Sequence, residues 1–351
     1  MTHPYRQLPD RAFWSRGVSR GFDAAAVYEG STPLLPAGAR VVSAGSCFAA
    51  NLVPYLEANG FTYIRTEALT TLVGVAPQAM SYDKFSAGYG NIYTARQLRQ
   101  LCERALGRFA PQEDRWHEDG MVIDPLRPGL TYPAGDDFEF DAMTRFHLDA
   151  TRAAISVCDT FIFTLGLTES WVSLRDGTVF PACPGTVRGT FDPRAHGFHN
   201  FTAAETIEDL IAALGLVREI NPHCRIVLTV SPVPLVATAT GGHVLSATVY
   251  SKSVLRVAAA EATRALDNVV YFPAYEIITG PQAPQDYFED NRRDPSRKGI
   301  DAVMTAFFSA CGIAEPNGIT AQDQPAPPPD ALAALSRRIA DIECEEAAAD
   351  N

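Results

Sequence analysis

The stretch VVSAGSCFAANLVPYLEANG, residues 41–60, begins as an apolar, β-branched strand and continues as an amphipathic helix. Three further apolar runs follow helical stretches: TFIFTLG (160–166), CRIVLTVSPVPL (224–235) and NVVYFPAYEII (268–278). Continuous apolar strands that alternate with amphipathic helices are typical of a parallel sheet covered on both faces. The sequence therefore predicts a layered α/β fold.

Small and polar residues follow three of these strands. They are Gly45-Ser46, the segment 166–169 (Gly-Leu-Thr-Glu) and Ser231-Pro232. Ligands of such sheets bind at the carboxyl ends of the strands. We therefore expect these three segments to meet at one edge and to form a site there.

Two potential nucleophiles, Ser46 and Cys47, stand side by side where the first strand gives way to its helix. A helix N-terminus there would offer unpaired N–H groups to a developing oxyanion or thiolate. Serine is also a favoured N-cap, so a purely structural turn is the alternative. Adjacent side chains point in different directions, and a cysteine in the first helical turn tends to be buried. This favours Ser46 over Cys47 as the nucleophile.

The net charge of -12 and a pI near 5.0 argue against nucleic acid or a membrane surface as partners. No apolar run is long enough for a membrane helix, and the first residues contain no signal-peptide core. The seven cysteines never occur as C-x-x-C, which disfavours disulfide frameworks and thiolate metal sites. We expect a cytoplasmic protein without a cofactor.

The chain divides by composition into three parts. Residues 1–315 form the predicted α/β domain, 316–329 a proline-rich linker, and 330–351 a C-terminal helix with an acidic tail. An apolar stripe in the last part predicts docking onto the body or homo-oligomerisation (Leu332, Leu335, Ile339, Ile342). Within the domain, Asp176-Gly177 predicts a hairpin, and residues 110–135 an irregular excursion.

Several motifs resemble the GSCFA domain family: GSCFA (45–49), YGNIYTARQL (89–98), TLGLTESW (164–171), HNFTAAET (199–206), and SPVPL with YSKSVLR (231–256). That family is similar to the SGNH hydrolases and O-acyltransferases. The resemblance implies a three-layer α/β/α sandwich with a mostly parallel sheet, SGNH- or flavodoxin-like. It also implies that Ser46 is the nucleophile. Oxyanion donors would be Ser46, Gly90 and Asn91, with Gly166 on a second loop beside the substrate.

One departure from the SGNH pattern concerns the general base. Those enzymes carry Asp-x-x-His before the last helix, whereas DYFEDNRRDPSRKGIDAVM (286–304) contains no histidine and has Arg293 or Asp294 at the expected position. A serine hydroxyl is a weak nucleophile without a base. We therefore expect His199 to supply it from another loop, with Glu169 or Asp294 orienting the imidazole or acting as the base.

The remaining polar candidates have weaker roles. His243 is a reserve base or substrate contact, and Lys252 is placed to hold an anionic group of the substrate. His147 is expected on a helix surface. A metal at His196 and His199 is a minor alternative, without a clear carboxylate partner.

These observations leave two functions open. The first is a Ser-dependent acyl-ester hydrolase or O-acyltransferase that acts on a carbohydrate or small metabolite, where the carbohydrate is suggested by analogy alone. The second is a non-catalytic small-molecule-binding protein on a degenerate SGNH-like fold, which the missing histidine favours.

Overall fold

The computed structural model describes residues 3–30, 33–67, 85–130 and 132–319. The strands are β1 (Arg40–Gly45), β2 (Thr62–Tyr63), β3 (Trp116–Glu118), β4 (Met121–Ile123), β5 (Thr160–Leu165), β6 (Glu169–Ser173), β7 (Val179–Phe180), β8 (His196–Asn200), β9 (Arg225–Val230) and β10 (Val269–Tyr271). The central sheet has the order β10-β9-β5-β1-β2, and all its pairings are parallel.

The α-helices are α1 (Trp14–Gly17), α2 (Cys47–Ala50), α3 (Leu52–Ala58), α4 (Ala95–Ala105), α5 (Asp137–Val157), α6 (Ala203–Ile220), α7 (Val244–Ala265), α8 (Ala274–Thr279) and α9 (Arg297–Ala310). Short 3-10 turns lie at Pro4–Gln7, Asp10–Ala12, Ala24–Val27 and Gln285–Tyr287. In the described part of the chain, no helix is long and apolar enough to cross a membrane.

Helices cover both faces of the central sheet. On one face α4, α5, α6 and α7 pack on alternate strand residues such as Phe161, Phe163 and Leu228. On the other face α3, α8 and α9 pack on the intervening residues Ile162 and Val227. Because successive side chains of a strand point to opposite faces, a continuously apolar strand fills both cores. The predicted three-layer α/β/α sandwich is confirmed.

The helix after β1 is interrupted rather than continuous. In an unbroken helix the N–H of residue 54 would bond the carbonyl of Ala50, but Pro54 has no N–H and its ring collides with that carbonyl. The chain therefore ends α2 at Ala50 and begins α3 at Leu52, where Pro54 falls in the first turn.

The apolar run 268–278 is only partly a strand. β10 ends at Tyr271, and residues 274–279 form α8, so the prediction of a strand through 278 was wrong. Pro273 cannot donate a ladder hydrogen bond, and it directly precedes the first residue of α8. The strand in 224–235 is likewise shorter, because it ends at Val230 before Pro232.

Two small antiparallel sheets stand apart from the central one. β6 pairs with β7 and β8, and Gly177 has a positive φ of 73° in the loop between β6 and β7, which confirms the hairpin at Asp176-Gly177. β3 and β4 form a hairpin inside the excursion 110–135. Of the predicted linker, only residues 316–319 are described, and the predicted helix at 330–351 lies outside the described residues.

Candidate active site

Ser46 lies at the carboxyl end of β1, where it is the N-cap of α2, and it is only 3% exposed. The serine Oγ forms no hydrogen bond within the described residues, although Oγ is a favoured N-cap acceptor. A buried hydroxyl without a partner is costly and so needs an explanation. The Cys47 side chain lies outside the part of the chain that the structure describes.

The residue before Ser46 has to be glycine. Gly45 has φ +144°, and a Cβ added there would lie 2.5 Å from the carbonyl oxygen of Thr164. The close approach joins β1 to β5, because the Ser46 N–H donates to the same oxygen at 3.3 Å. Gly45 therefore lets the chain turn sharply out of the sheet and present Ser46 at its edge.

The unpartnered hydroxyl borders a cleft of about 560 Å³. The ends of three parallel strands contribute Ser46, the loop beginning at Gly166, and Ser231. The expectation that these segments converge is confirmed. The remaining wall is mostly apolar and includes Trp171, Phe180, Pro181, Ala182, Val233, Pro234, Leu235 and Val236.

Glu169, the first residue of β6, also lines the cleft. Its carboxylate accepts hydrogen bonds from the Thr238 hydroxyl at 2.8 and 3.0 Å and from the backbone N–H of Ala239. Burial raises the pKa of Glu169 above its usual value, and these hydrogen bonds only partly oppose the rise. A carboxylate of raised pKa in a cleft is suited to accept and return a proton.

The predicted oxyanion residues Gly90 and Asn91 lie beside the β1 turn but do not line the Ser46 cleft. The N–H of Ile92 donates to the Gly45 carbonyl at 2.8 Å, which fixes this loop against the end of β1. The Asn91 side chain lines a neighbouring cavity instead, and Tyr93 is the member of the segment that borders the cleft.

Lys252 lies beneath the cleft rather than in it. The side chain is buried in α7, and its Nζ donates to the Gly166 carbonyl at 2.7 Å. The neighbouring Ser251 hydroxyl accepts from the Thr168 N–H at 3.0 Å. Helix α7 therefore holds the loop 166–168 in place from below, which is a positioning role instead of the predicted contact with the substrate.

No histidine of the described chain lines the cleft. His199 is 40% exposed on β8, and its Nε2 pairs with a Glu205 oxygen at 2.9 Å. His243 is exposed and caps α7 through a hydrogen bond from the Leu245 N–H to Nδ1. The structure thus does not bring either imidazole into the wall around Ser46.

His196 and His199 are not placed to bind one metal ion together. Residues three apart on a strand point to opposite faces, and His196 is buried against Glu113 while His199 lies at the surface. Within the described residues, no group of three or more His, Cys, Asp or Glu side chains could bind a metal ion.

Asp294 is half-exposed and lies in the loop before α9, where it accepts from the Asn291 amide at 2.8 Å. It does not line the cleft, and Ser296 is the N-cap of α9. The adjacent Arg293 does line the cleft. No role for Arg293 was predicted, although it stands at one of the two positions where the resemblance to SGNH enzymes implies a histidine.

His147 does not lie on the surface of α5, so that expectation was wrong. Its ring is fully buried, and Nδ1 is 2.7 Å from an oxygen of Glu67. The helix around it carries both polar and apolar residues, so spacing alone did not show that a carboxylate from the segment after β2 would cover this position.

The family model for GSCFA matches residues 40–307. Among curated proteins, none matches the sequence significantly. A candidate GDSL-like lipase from Parabacteroides merdae is 13% identical, with 80% of this chain and 99% of that one covered and a TM-score of 0.35. An acetyl esterase mutant with acetate is 10% identical, with 76% and 93% covered and a TM-score of 0.33. With TM-scores below 0.5, neither similarity bears on function.

Proposed function

The chain belongs to the GSCFA family, and we propose that it is a Ser-dependent acyl-ester hydrolase or O-acyltransferase. The observation that carries the proposal is the Ser46 hydroxyl, buried without a partner at the border of an open cleft. A structural N-cap would bond its own helix, whereas a nucleophile keeps its oxygen available for a substrate carbonyl.

Glu169 is the proposed base, because it is the carboxylate that shares the cleft with Ser46 and burial raises its pKa. Ser46 Oγ would attack the ester carbonyl while its proton passes to Glu169. Collapse of the tetrahedral intermediate would return that proton to the leaving alkoxide and leave an acyl-enzyme. Water or a second hydroxyl compound would then take the acyl group.

The apolar wall suits the acyl part of the substrate. Trp171, Phe180 and Leu235 offer no charge and few hydrogen bonds, so a short apolar acyl group fits better than a charged one. For the oxyanion, we propose the Ser46 N–H as the donor, since its bond to the Thr164 carbonyl is long at 3.3 Å.

The decisive experiment compares the wild type with Ser46→Ala on p-nitrophenyl acetate and with a fluorophosphonate probe. We expect Ser46→Ala to lose both hydrolysis and labelling, and the surface variant Ser156→Ala to keep both. Cys47→Ala should retain activity. If this variant lost activity instead, the nucleophile would be the Cys47 thiol. Full activity of Ser46→Ala would refute the proposal. A sugar acceptor added to the assay distinguishes transfer from hydrolysis.

His199 and Asp294 remain testable as bases in the same assay. If Glu169 is the base, His199→Gln and Asp294→Asn should change the rate constant far less than Glu169→Gln. A much larger loss with His199→Gln would show that the loop carrying β8 moves to the cleft when substrate binds.

The second candidate is a binding protein without catalysis. It is favoured by the absence of a histidine from the described cleft wall and by Arg293 or Asp294 at the position where the resemblance to SGNH enzymes expects one. In that case the wild type would resist fluorophosphonate and would still bind a small ester or its acid in the cleft. Replacing Trp171 by alanine would then weaken binding.

A further inference from the structure

A second, polar cavity of about 400 Å³ adjoins the cleft: Asn91 and Ile92 line this cavity, whereas Tyr93 lines the cleft. We call it the polar cavity; the charged or titratable side chains that line it are Arg104, Arg127 and His147, together with Tyr89. Nothing in the proposed reaction uses these residues. Interior space lined by charged groups is unusual, since buried charges are normally paired.

Arg104 is only 8% exposed, and burial and the charges of Asp124, Arg127 and Asp114 act on its guanidinium without any hydrogen bond from the described residues. Burial lowers the pKa of Arg104, yet an arginine remains charged at neutral pH. Its nearby carboxylate, Asp124, instead accepts from Arg127 Nε at 2.7 Å and from the Leu126 N–H. The five donors of the Arg104 guanidinium therefore have no acceptor in the described chain.

His147 provides the opposite kind of group. Its Nδ1 must carry the proton, because the partner at 2.7 Å is an oxygen of Glu67. Burial lowers the pKa of His147, so the ring is neutral and Nε2 carries a lone pair. That Nε2 is buried and has no partner in the described chain.

The polar cavity thus presents a planar cationic donor and a neutral acceptor. A guanidinium binds a carboxylate through two parallel hydrogen bonds, and an unprotonated imidazole nitrogen accepts from a hydroxyl. We propose that the polar cavity binds a small hydroxycarboxylate, with its carboxylate on Arg104 and its hydroxyl donating to His147 Nε2.

The test titrates glycolate, L-lactate and D-glycerate into the full-length protein by calorimetry. We expect at least one of them to bind. Propionate, which lacks the hydroxyl, should bind at least about threefold more weakly than lactate, and 1,2-propanediol, which lacks the carboxylate, should not bind measurably. Failure of all three acids to bind, or equal binding of lactate and propionate, would overturn the proposal.

Variants locate the site. Arg104→Gln should weaken binding at least about tenfold, whereas Arg108→Gln, just beyond the end of α4 and paired with Glu219 at the surface, should not. Circular dichroism checks that both variants fold. Loss of binding in Arg293→Gln but not in Arg104→Gln would place the carboxylate in the Ser46 cleft, which also contradicts the proposal. This outcome does not depend on whether Ser46 is a nucleophile.

Discussion

The candidate active site depends on single residues at the ends of strands, and Ser46 is the main example. The hydroxyl is available because Gly45 bends the chain so tightly that no side chain fits beside Thr164. It borders the same cleft as the loop that begins at Gly166. A substrate that reached it would meet a serine hydroxyl, a carboxylate and an apolar wall within one cleft. What the site does not contain, within the described residues, is an imidazole.

The first prediction concerns Glu169. A carboxylate acts as a base only when it is ionised. We therefore expect kcat/KM to increase as the pH rises through the raised pKa of Glu169, and to be low at pH values below that pKa. Glu169→Gln should reduce kcat/KM by about 10²- to 10⁴-fold and remove that acidic limb. Measured pH–rate profiles of both proteins test this. An unchanged limb in the variant would mean that another group titrates.

Residue identities were predictable where the local chemistry is distinctive. Ser46, Gly166 and Glu169 follow apolar strands, so their place at one edge could be deduced from the order of elements. Arg293 and Trp171 could not, since whether a loop residue faces the cleft depends on long-range packing. The partner of His147 was also out of reach, because Glu67 lies 80 positions away in the chain.

At the scale of elements, the site depends on helices that support its loops from below. α7 inserts the Lys252 amine beneath the Gly166 carbonyl and the Ser251 hydroxyl beneath the Thr168 N–H. The alternation of strands and helices predicted these layers, but it did not show which helical side chains would reach the loops. The segment of α8 was predicted as a strand, because a short apolar run such as Tyr-Glu-Ile-Ile is compatible with both a strand and a helix.

The second prediction follows from this support. Lys252→Met keeps the length of the side chain but leaves the buried Gly166 carbonyl without its donor, at a cost of about 1–3 kcal/mol. We expect lower stability in urea and a lower kcat, because the loop that borders Ser46 loses its anchor.

Arg256→Met is the matched control, one turn along α7. Its half-exposed ion pair with Glu276 should contribute less than about 1 kcal/mol. If Lys252 instead bound substrate, its replacement would raise KM at unchanged stability, and the positioning role would be wrong.

At the scale of the whole molecule, a buried charged cluster joins segments distant in sequence. Glu67, from the segment after β2, accepts from the Gly88 N–H, from Arg127 at 3.2 Å and from His147 at 2.7 Å. Arg127 also bonds Asp124. The cluster therefore fastens the segment 85–93, which borders both cavities, to α5 and to the excursion after β4.

The last prediction is that this cluster makes the fold sensitive to acid. Burial alone would raise the pKa of Glu67, but His147, Arg127 and the Gly88 N–H outweigh it and lower the pKa to about 2, from an ordinary value of 4.5. This stabilisation, about 3 kcal/mol, is complete above the ordinary value and is lost as the pH falls from 4.5 towards 2. Burial lowers the pKa of His147, so this residue adds a further loss of stability on acidification, which begins at its ordinary value of 6.5.

Urea unfolding as a function of pH should therefore show a steeper acid slope in the wild type than in Glu67→Gln. Glu57→Gln, which removes a half-exposed carboxylate paired with Arg65, should keep the wild-type slope. Parallel slopes in the wild type and Glu67→Gln would show that the acid sensitivity arises outside the cluster.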